Sequence, residues 1–199
     1  MNRLKILSIL FAVFVIASAS AFSQSVNDGW QSPATLSLGT GWTNPDSCFA
    51  SDDLRANYTG TTGEHMILTN VTAGVPAGAT IDSFIVHIEG YGTSAVGPRR
   101  EVAVHLTKNG STTEGEEVPN QQLPQSTDGV VTTRGVLTPL FNGAFTADEV
   151  NSTNFGIMFH KEGTKSDAVF IDHVEIQIWY TEAAAGGDVV SKRRRGQQK

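Results

Sequence analysis

The stretch VFIDHVEIQIWYTE, residues 169–182, decides the fold of this chain. Apolar residues recur at every second position from Phe170 and Val174 onward, which is the period of a β-strand with one buried face. Asp172 and His173 stand side by side in it, as a catalytic pair often does in a sequence. Adjacent side chains of a strand point to opposite faces, so these two cannot hydrogen-bond as an orienting acid and a base. We therefore interpret the stretch as a strand.

The same period recurs in three further segments, residues 81–90, 100–110 and 154–163. These four strongly patterned strands are predicted to share one sheet, whose apolar face needs a second sheet to cover it. Weaker patterns supply candidates for that second sheet, namely residues 34–42, 56–60, 65–70 and 130–140. The sequence therefore predicts an all-β fold, a two-sheet antiparallel β-sandwich with jelly-roll-like connections.

Two segments depart from the strand pattern. Thr146 and Glu149 fit the capping-box rule, in which a hydroxyl and a carboxylate satisfy the free amides of a helix start. One short helical turn is therefore predicted near residues 146–151. Residues 109–135 are polar, contain two prolines and show little periodicity. They are predicted to form a long loop of the kind that binds ligands or makes mobile excursions.

The two ends of the chain differ from its middle in composition. Residues 1–23 combine a basic start, an apolar run and a small-residue cleavage site, which is typical of a signal peptide. Residues 24–182 are predicted to form the sandwich domain, and residues 183–199 a disordered basic tail. We expect a mature protein that is secreted or at the cell surface, with no membrane span after cleavage of the leader.

Charge and cysteine content limit the partners. The net charge of -6 argues against nucleic-acid binding by the domain, because polyphosphate binding needs a basic surface. The four cations of residues 192–195 either contact an anionic surface or form a solvated terminus. Cys48 is the one cysteine, so no intramolecular disulfide is available and the core must hold the fold. A homo-oligomer remains open at this level.

Aromatic side chains are the candidate ligand-binding residues, because a ring face can stack on the apolar face of a sugar. Trp179 alternates with the core residues of its strand and is predicted to point outward, which makes it the first candidate. Tyr91 and Tyr58 are the next candidates, and Trp30 and Trp42 are also available. Core or edge packing is the competing interpretation for each ring.

Ionisable residues suggest two kinds of metal site. Asp172 is predicted on the apolar face, where backbone amides, an arginine or a cation must satisfy its carboxylate. It either pins a loop at the sandwich edge or shares a structural calcium ion with Asp52 and Asp53, and calcium is the one candidate cofactor. Four histidines are predicted on polar strand faces, and neighbouring strands would bring their imidazoles into metal-binding range. They are His87, His105, His160 and His173.

Motifs for catalysis are scarce. The chain has no Gly-x-Ser-x-Gly, no cysteine with a convincing partner and no phosphate-binding glycine loop. No catalytic residue is assigned, and an enzyme is disfavoured without being excluded. Carboxylates at Glu89, Glu101 and Glu175 keep a jelly-roll glycan hydrolase or lyase open.

The sequence GWTNPDSCFASDD, residues 41–53, resembles an uncharacterised family of secreted bacterial β-sandwich modules with a Trp-x-Asn-Pro element followed by Ala-Ser-Asp-Asp. The likeness continues in residues 75–90, 151–159 and 171–181, the last resembling that family's closing strand. It implies a jelly-roll-like sandwich on exported or surface-associated proteins and no established catalytic activity. The family-like positions are Trp42, Asn44, Pro45, Asp52, Asp53 and Asp172.

These observations predict an exported binding or structural module at a bacterial surface, without catalytic activity. Carbohydrate or another surface polymer is the expected ligand, and adhesion is a role of this kind. Two alternatives stay open. One is a self-assembling surface or appendage subunit, which would expose an unpaired strand edge. The other is the glycan hydrolase or lyase, which would require a cleft with paired carboxylates.

Overall fold

The fold is known from a computed structural model that describes residues 25–61, 65–95, 100–136, 144–162 and 167–183. These residues form two antiparallel sheets packed face to face, so the predicted all-β sandwich is confirmed. The predicted signal peptide and most of the predicted basic tail lie outside the described residues. Within the described part, no helix has the length and apolar composition needed to cross a membrane.

Five of the described strands form sheet A, in the order β1-β10-β5-β8 with β3 also paired to β10. Their bounds are Ser25–Gln31 for β1, Ala56–Tyr58 for β3, Thr80–Gly92 for β5, Gly129–Val136 for β8 and Val169–Thr181 for β10. Sheet B has the order β2-β4-β9-β6-β7. Its strands are β2 at Thr35–Leu38, β4 at His65–Thr69, β6 at Glu101–Thr107, β7 at Glu114–Gln122 and β9 at Gly156–Lys161.

The chain changes sheet between successive described strands at every step except β6 to β7. This alternation is what makes the connections jelly-roll-like. It also corrects one expectation, because the four strongly patterned strands do not share a sheet. The strands β5 and β10 lie in sheet A, whereas β6 and β9 lie in sheet B. Each sheet therefore has two central strands with an apolar inner face, and these inner faces cover each other, although β9 is buried on its outer side as well.

The longest pairing joins β5 and β10 in the middle of sheet A. Val86 lies opposite Ile176 and Phe84 opposite Ile178, and all four side chains are buried between the sheets. Sheet B contributes buried residues from β4, β6 and β9 to the same core cluster, namely Met66, Leu68, Val102, Val104, Leu106, Ile157 and Phe159. Because both inner faces are apolar, the sandwich is held by hydrophobic burial, without a disulfide.

The sequence predicted one long loop for residues 109–135, and this prediction is wrong. They contain β7, an edge strand of sheet B, and most of β8, an edge strand of sheet A. The pairing of β7 with β6 shifts register twice, between Val102 and Val104 and again between Val104 and Leu106. An edge strand with irregular pairing does not need an alternating apolar face, so its sequence lacks the period that reveals a central strand.

The predicted helical turn is confirmed. The helix α1 spans Ala147–Val150, and Thr146 and Glu149 make both reciprocal bonds of the capping box. The Thr146 amide donates to the Glu149 carboxylate at 2.8 Å, and the Glu149 amide donates to the Thr146 hydroxyl at 3.2 Å. Ala147 and Val150 are buried, so the capped turn also contributes to the core.

Candidate functional site

An exposed tryptophan lies on the outer face of sheet A, on the edge strand β1. The ring of Trp30 on β1 stacks on the ring of His87 on β5, with centroids 3.7 Å apart and planes 25° from parallel. His87 is itself fixed, because its Nδ1 lies 3.0 Å from Glu175 Oε1 on β10. Trp30 is nevertheless 39% exposed. The indole is therefore held in one orientation and still accessible to a ligand.

A bulge in β1 sets the direction of Trp30. The pairing of β1 with β10 shifts between Asn27 and Trp30, and Gly29 has a positive φ of 83°. The Asn27 carboxamide accepts from the Gly29 amide at 3.1 Å, and the Asp28 carboxylate accepts from the Ile178 amide at 3.0 Å. A bulge re-aims the side chain that follows it, and glycine adopts positive φ at low cost.

Trp179 lies on the same outer face, as the sequence predicted, and is half-buried. Its Nε1 donates to Gln177 Oε1 at 3.0 Å, and Gln177 Nε2 donates to Asn27 Oδ1 at 3.0 Å. Trp30 lies opposite Gln177 in the β1–β10 pairing, so the two indoles flank a carboxamide pair. We call this surface the sheet A platform, and its residues are Asn27, Trp30, His87, Glu175, Gln177 and Trp179.

Tyr91 lies at the other end of β5, away from the platform. Its ring stacks on Phe170 with centroids 4.8 Å apart, and the Arg55 guanidinium lies 5.6 Å from the Tyr91 centroid. The sequence predicted Phe170 on the core face, which is wrong. A register shift between Ile171 and His173 inverts the alternation at the start of β10 and turns Phe170 outward.

Tyr58, the third predicted ligand-binding residue, is buried in the core. It is 5% exposed, and its ring centroid lies 5.2 Å from that of Trp42. Its hydroxyl donates to the Thr61 carbonyl at 2.9 Å. A ring in this position cannot stack on a ligand, because the second sheet already covers it. The competing interpretation of core packing therefore holds for Tyr58 and also for Trp42, which is 7% exposed.

Asp172 is buried, and both residues predicted to share its ion contact it through their backbone amides. Its Oδ2 accepts from the Asp53 amide at 3.4 Å, while its Oδ1 is buried without a hydrogen-bond partner. Carboxylate oxygens of Asp53, Asp128 and Asp172 lie within 4.8 Å of one another. The carboxylate of Asp52 is not part of this group, and its Oδ1 accepts from the Leu54 amide at 3.0 Å. The sequence did not predict Asp128 as a member, because it precedes β8 and lies far along the chain from both Asp53 and Asp172.

An arginine already pairs with two members of this acidic group. The Arg55 guanidinium donates to Asp53 Oδ1 at 2.7 Å and to the Asp53 carbonyl at 2.8 Å, and it forms an ion pair with Asp128. Burial is the main cause that raises the pKa of the Asp172 carboxyl above its usual value. Two of the predicted alternatives to a cation are thus present at Asp172, a backbone amide by hydrogen bond and an arginine through its nearby charge.

The calcium hypothesis for Asp52, Asp53 and Asp172 stays a prediction with a specific test. If calcium binds, it competes with Arg55 for the carboxylates. We therefore expect Arg55→Gln to increase the rise in unfolding midpoint that calcium produces over chelator, and Asp172→Asn to abolish that rise. Thermal unfolding with calcium and with chelator measures both. An equal calcium effect in wild type and both variants would contradict the hypothesis.

The charge of Asp28 in the β1 bulge makes a pH-dependent contribution to stability. Burial raises the pKa of this carboxyl, and its Oδ2 is buried without a partner. A carboxyl with a higher pKa in the folded state binds its proton more tightly there, so it lowers stability as the pH rises through that range.

We expect Asp28→Asn to raise the free energy of unfolding at pH 7. The gain should disappear as the pH falls toward the pKa of an unfolded aspartate, because the wild-type carboxyl is then protonated in both states. Urea unfolding at the two pH values measures the effect. The exposed Asp46→Asn is the matched control for the change in net charge. A gain that persists at low pH would assign the effect to packing instead.

The predicted set of four outward histidines is divided between the sheets. His87 and His173 lie in sheet A, where His173 Nε2 is 2.8 Å from the Ser32 hydroxyl. His105 and His160 lie in sheet B and come together with His65. His65 was not among the predicted histidines, because it begins a short strand whose polar face shows no repeat.

The carboxylates that kept a glycan hydrolase open are also divided. Glu89 and Glu175 lie on adjacent strands of sheet A, whereas Glu101 lies in sheet B. A shallow cavity of about 340 Å³ opens beside α1. It is lined by Gly78, Ala79, Thr80, Phe145, Thr146, Ala147 and Asp148. Asp148 is the one carboxylate among these described lining residues. The cavity therefore lacks the two facing carboxylates that a glycan hydrolase would need.

Neither a family model nor a curated protein matches the chain. Among solved structures, the chain is similar to a xylan-binding module, CBM15, at 15% sequence identity and a TM-score of 0.37. The match covers 81% of this chain and 99% of that one.

Proposed function

We propose that this protein is an exported, non-catalytic module that binds a polysaccharide through the sheet A platform. The observation that carries the proposal is the exposed ring of Trp30, which stacks on His87 on the outer face of sheet A. The composition of residues 1–23 supports export. The remaining support comes from the chemistry of the platform.

The platform combines the two kinds of contact that a sugar chain offers. An aromatic ring packs against the apolar face of a sugar, as it does against other apolar surfaces. The carboxamides of Asn27 and Gln177 and the carboxylate of Glu175 have more donors and acceptors than their mutual contacts use. These groups can bind hydroxyls beside the stacked ring.

The platform is also preorganised. Trp30 is held by His87, His87 by Glu175, and Trp179 by Gln177, so each ring is already fixed by a neighbour. A ligand then pays little rotamer entropy on binding. The rings lie on paired strands of a sheet rather than in a loop, which keeps their spacing constant. An extended polymer, which crosses several such contacts, suits this surface better than a small molecule in a pocket.

The experiment is affinity electrophoresis of residues 24–199 against neutral and acidic soluble polysaccharides, with isothermal titration for any hit. We expect at least one polysaccharide to retard the protein and to perturb its tryptophan fluorescence. If the folded protein ignores the whole panel, the proposal fails. Shortened oligosaccharide products would instead support the glycan hydrolase or lyase, and a concentration-dependent oligomer would support the self-assembling subunit.

A further inference from the structure

Three histidines meet on the outer face of sheet B. His65, His160 and His105 come from the adjacent strands β4, β9 and β6, and His65 lies directly opposite His160 in the pairing. Ring centroids are 4.7 Å apart for His65 and His160, and His105 lies 6.1 Å from each. One ring nitrogen from each residue lies within 4.8 Å of the others. We call these three residues the histidine cluster.

A carboxylate lies beside two of the three histidines. Glu117 on the edge strand β7 places Oε2 2.9 Å from His105 Nε2 and 3.9 Å from His160 Nε2. The longer distance exceeds that of a hydrogen bond. Ligand atoms bound tetrahedrally to zinc lie about 3.4 Å apart, given bonds of about 2.1 Å. The two distances bracket that value, so one carboxylate oxygen stands where a fourth ligand would stand relative to two imidazoles.

Two of the three imidazoles are largely buried, and each has an unpartnered ring nitrogen. The side chains of His105 and His160 are 12% and 10% exposed, and the Nδ1 atoms of both are buried without a hydrogen-bond partner. Neutral imidazoles offer lone pairs, and a metal site requires them. Three histidines this close would repel one another if protonated.

We propose that the histidine cluster, together with Glu117, binds one divalent transition-metal ion of the zinc class. Three imidazole nitrogens and one carboxylate oxygen form a ligand set for zinc and its neighbours, whereas calcium and magnesium prefer oxygen ligands. The ion would join three strands of sheet B to the edge strand β7. This site lies on the opposite sheet from the platform and does not depend on polysaccharide binding.

The test is titration of tag-free, chelator-treated residues 24–199 with zinc chloride by calorimetry. We expect one equivalent to bind. Cobalt(II) should bind at the same stoichiometry and give the intense visible absorption of a tetrahedral ion. His65→Gln and His105→Gln should each weaken zinc binding by ~100-fold or more, because each removes a ligand rather than a supporting contact. Circular dichroism verifies that the variants are folded.

Matched controls lie on sheet A. His87→Gln and His173→Gln each remove one half-buried strand imidazole outside the cluster, and they should leave zinc affinity unchanged. If zinc and cobalt do not bind wild type, the proposal is overturned. It is also overturned if the sheet A variants lose as much affinity as the cluster variants, because that result indicates nonspecific surface binding. Should His105→Gln fail to fold, His65→Gln at the start of β4 decides.

Discussion

Replacing Trp30 by alanine is expected to weaken polysaccharide binding by ~30-fold or more, which corresponds to about 2 kcal/mol. Trp30 is the most exposed of the fixed rings on the sheet A platform, and an exposed tryptophan at the centre of a contact surface is the kind of residue that dominates binding energy. Its removal should affect the dissociation rate more than the association rate. Titration against the polysaccharide found in the panel measures the loss.

The controls separate stacking from general surface change. Leu54→Ala removes an apolar side chain that is 62% exposed and lies outside the platform, so it should bind as wild type does. Trp30→Phe keeps a smaller ring and should retain part of the affinity. Trp179→Ala should weaken binding less than Trp30→Ala, because Trp179 is half-buried. Wild-type affinity in Trp30→Ala would place the binding surface elsewhere.

Replacing Phe84 by alanine is expected to lower the free energy of unfolding by about 3–5 kcal/mol. Phe84 is fully buried, and its ring lies 4.9 Å from that of Phe145 and 5.9 Å from that of Phe155. The substitution removes apolar contacts and leaves a cavity between the sheets. The total stability of a domain is about 5–15 kcal/mol, so this loss is a large fraction of it. Chemical unfolding of wild type and variant gives the difference.

A second phenylalanine provides the comparison. Phe170 stacks on Tyr91 outside the core and is half-buried, so Phe170→Ala should cost much less than Phe84→Ala. Phe84→Leu should lie between them, because it fills part of the cavity. Equal losses for Phe84→Ala and Phe170→Ala would contradict the assignment of the core to the space between the sheets.

Local signals in the sequence predicted the fold class. The alternation around Val86 and Ile176 identifies central strands, because a strand buried on one face must repeat every two residues. The capping box at Thr146 identifies the helical turn, because its bonds span three residues. Trp179 was predicted on the outer face for the same reason. These features depend on neighbours in sequence, so they could be read without a structure.

Features that depend on strand pairing could not be read in this way. The bulge at Gly29 and the register shift before His173 invert alternation locally, which aims Trp30 at the platform and turns Phe170 outward. The burial of Tyr58 follows from its contact with Trp42 in the core. No local pattern distinguishes such a tyrosine from an exposed one.

The sequence by itself thus determined that the chain forms an antiparallel sandwich of strands with an apolar inner face, without disulfides. Only the tertiary structure decided which strands share a sheet and which polar groups meet on its faces. His65, His105 and His160 are far apart in the chain and become neighbours because β4, β9 and β6 pair. Pairing is set by burial of the whole apolar surface, a sum over both sheets, and therefore no single segment encodes it.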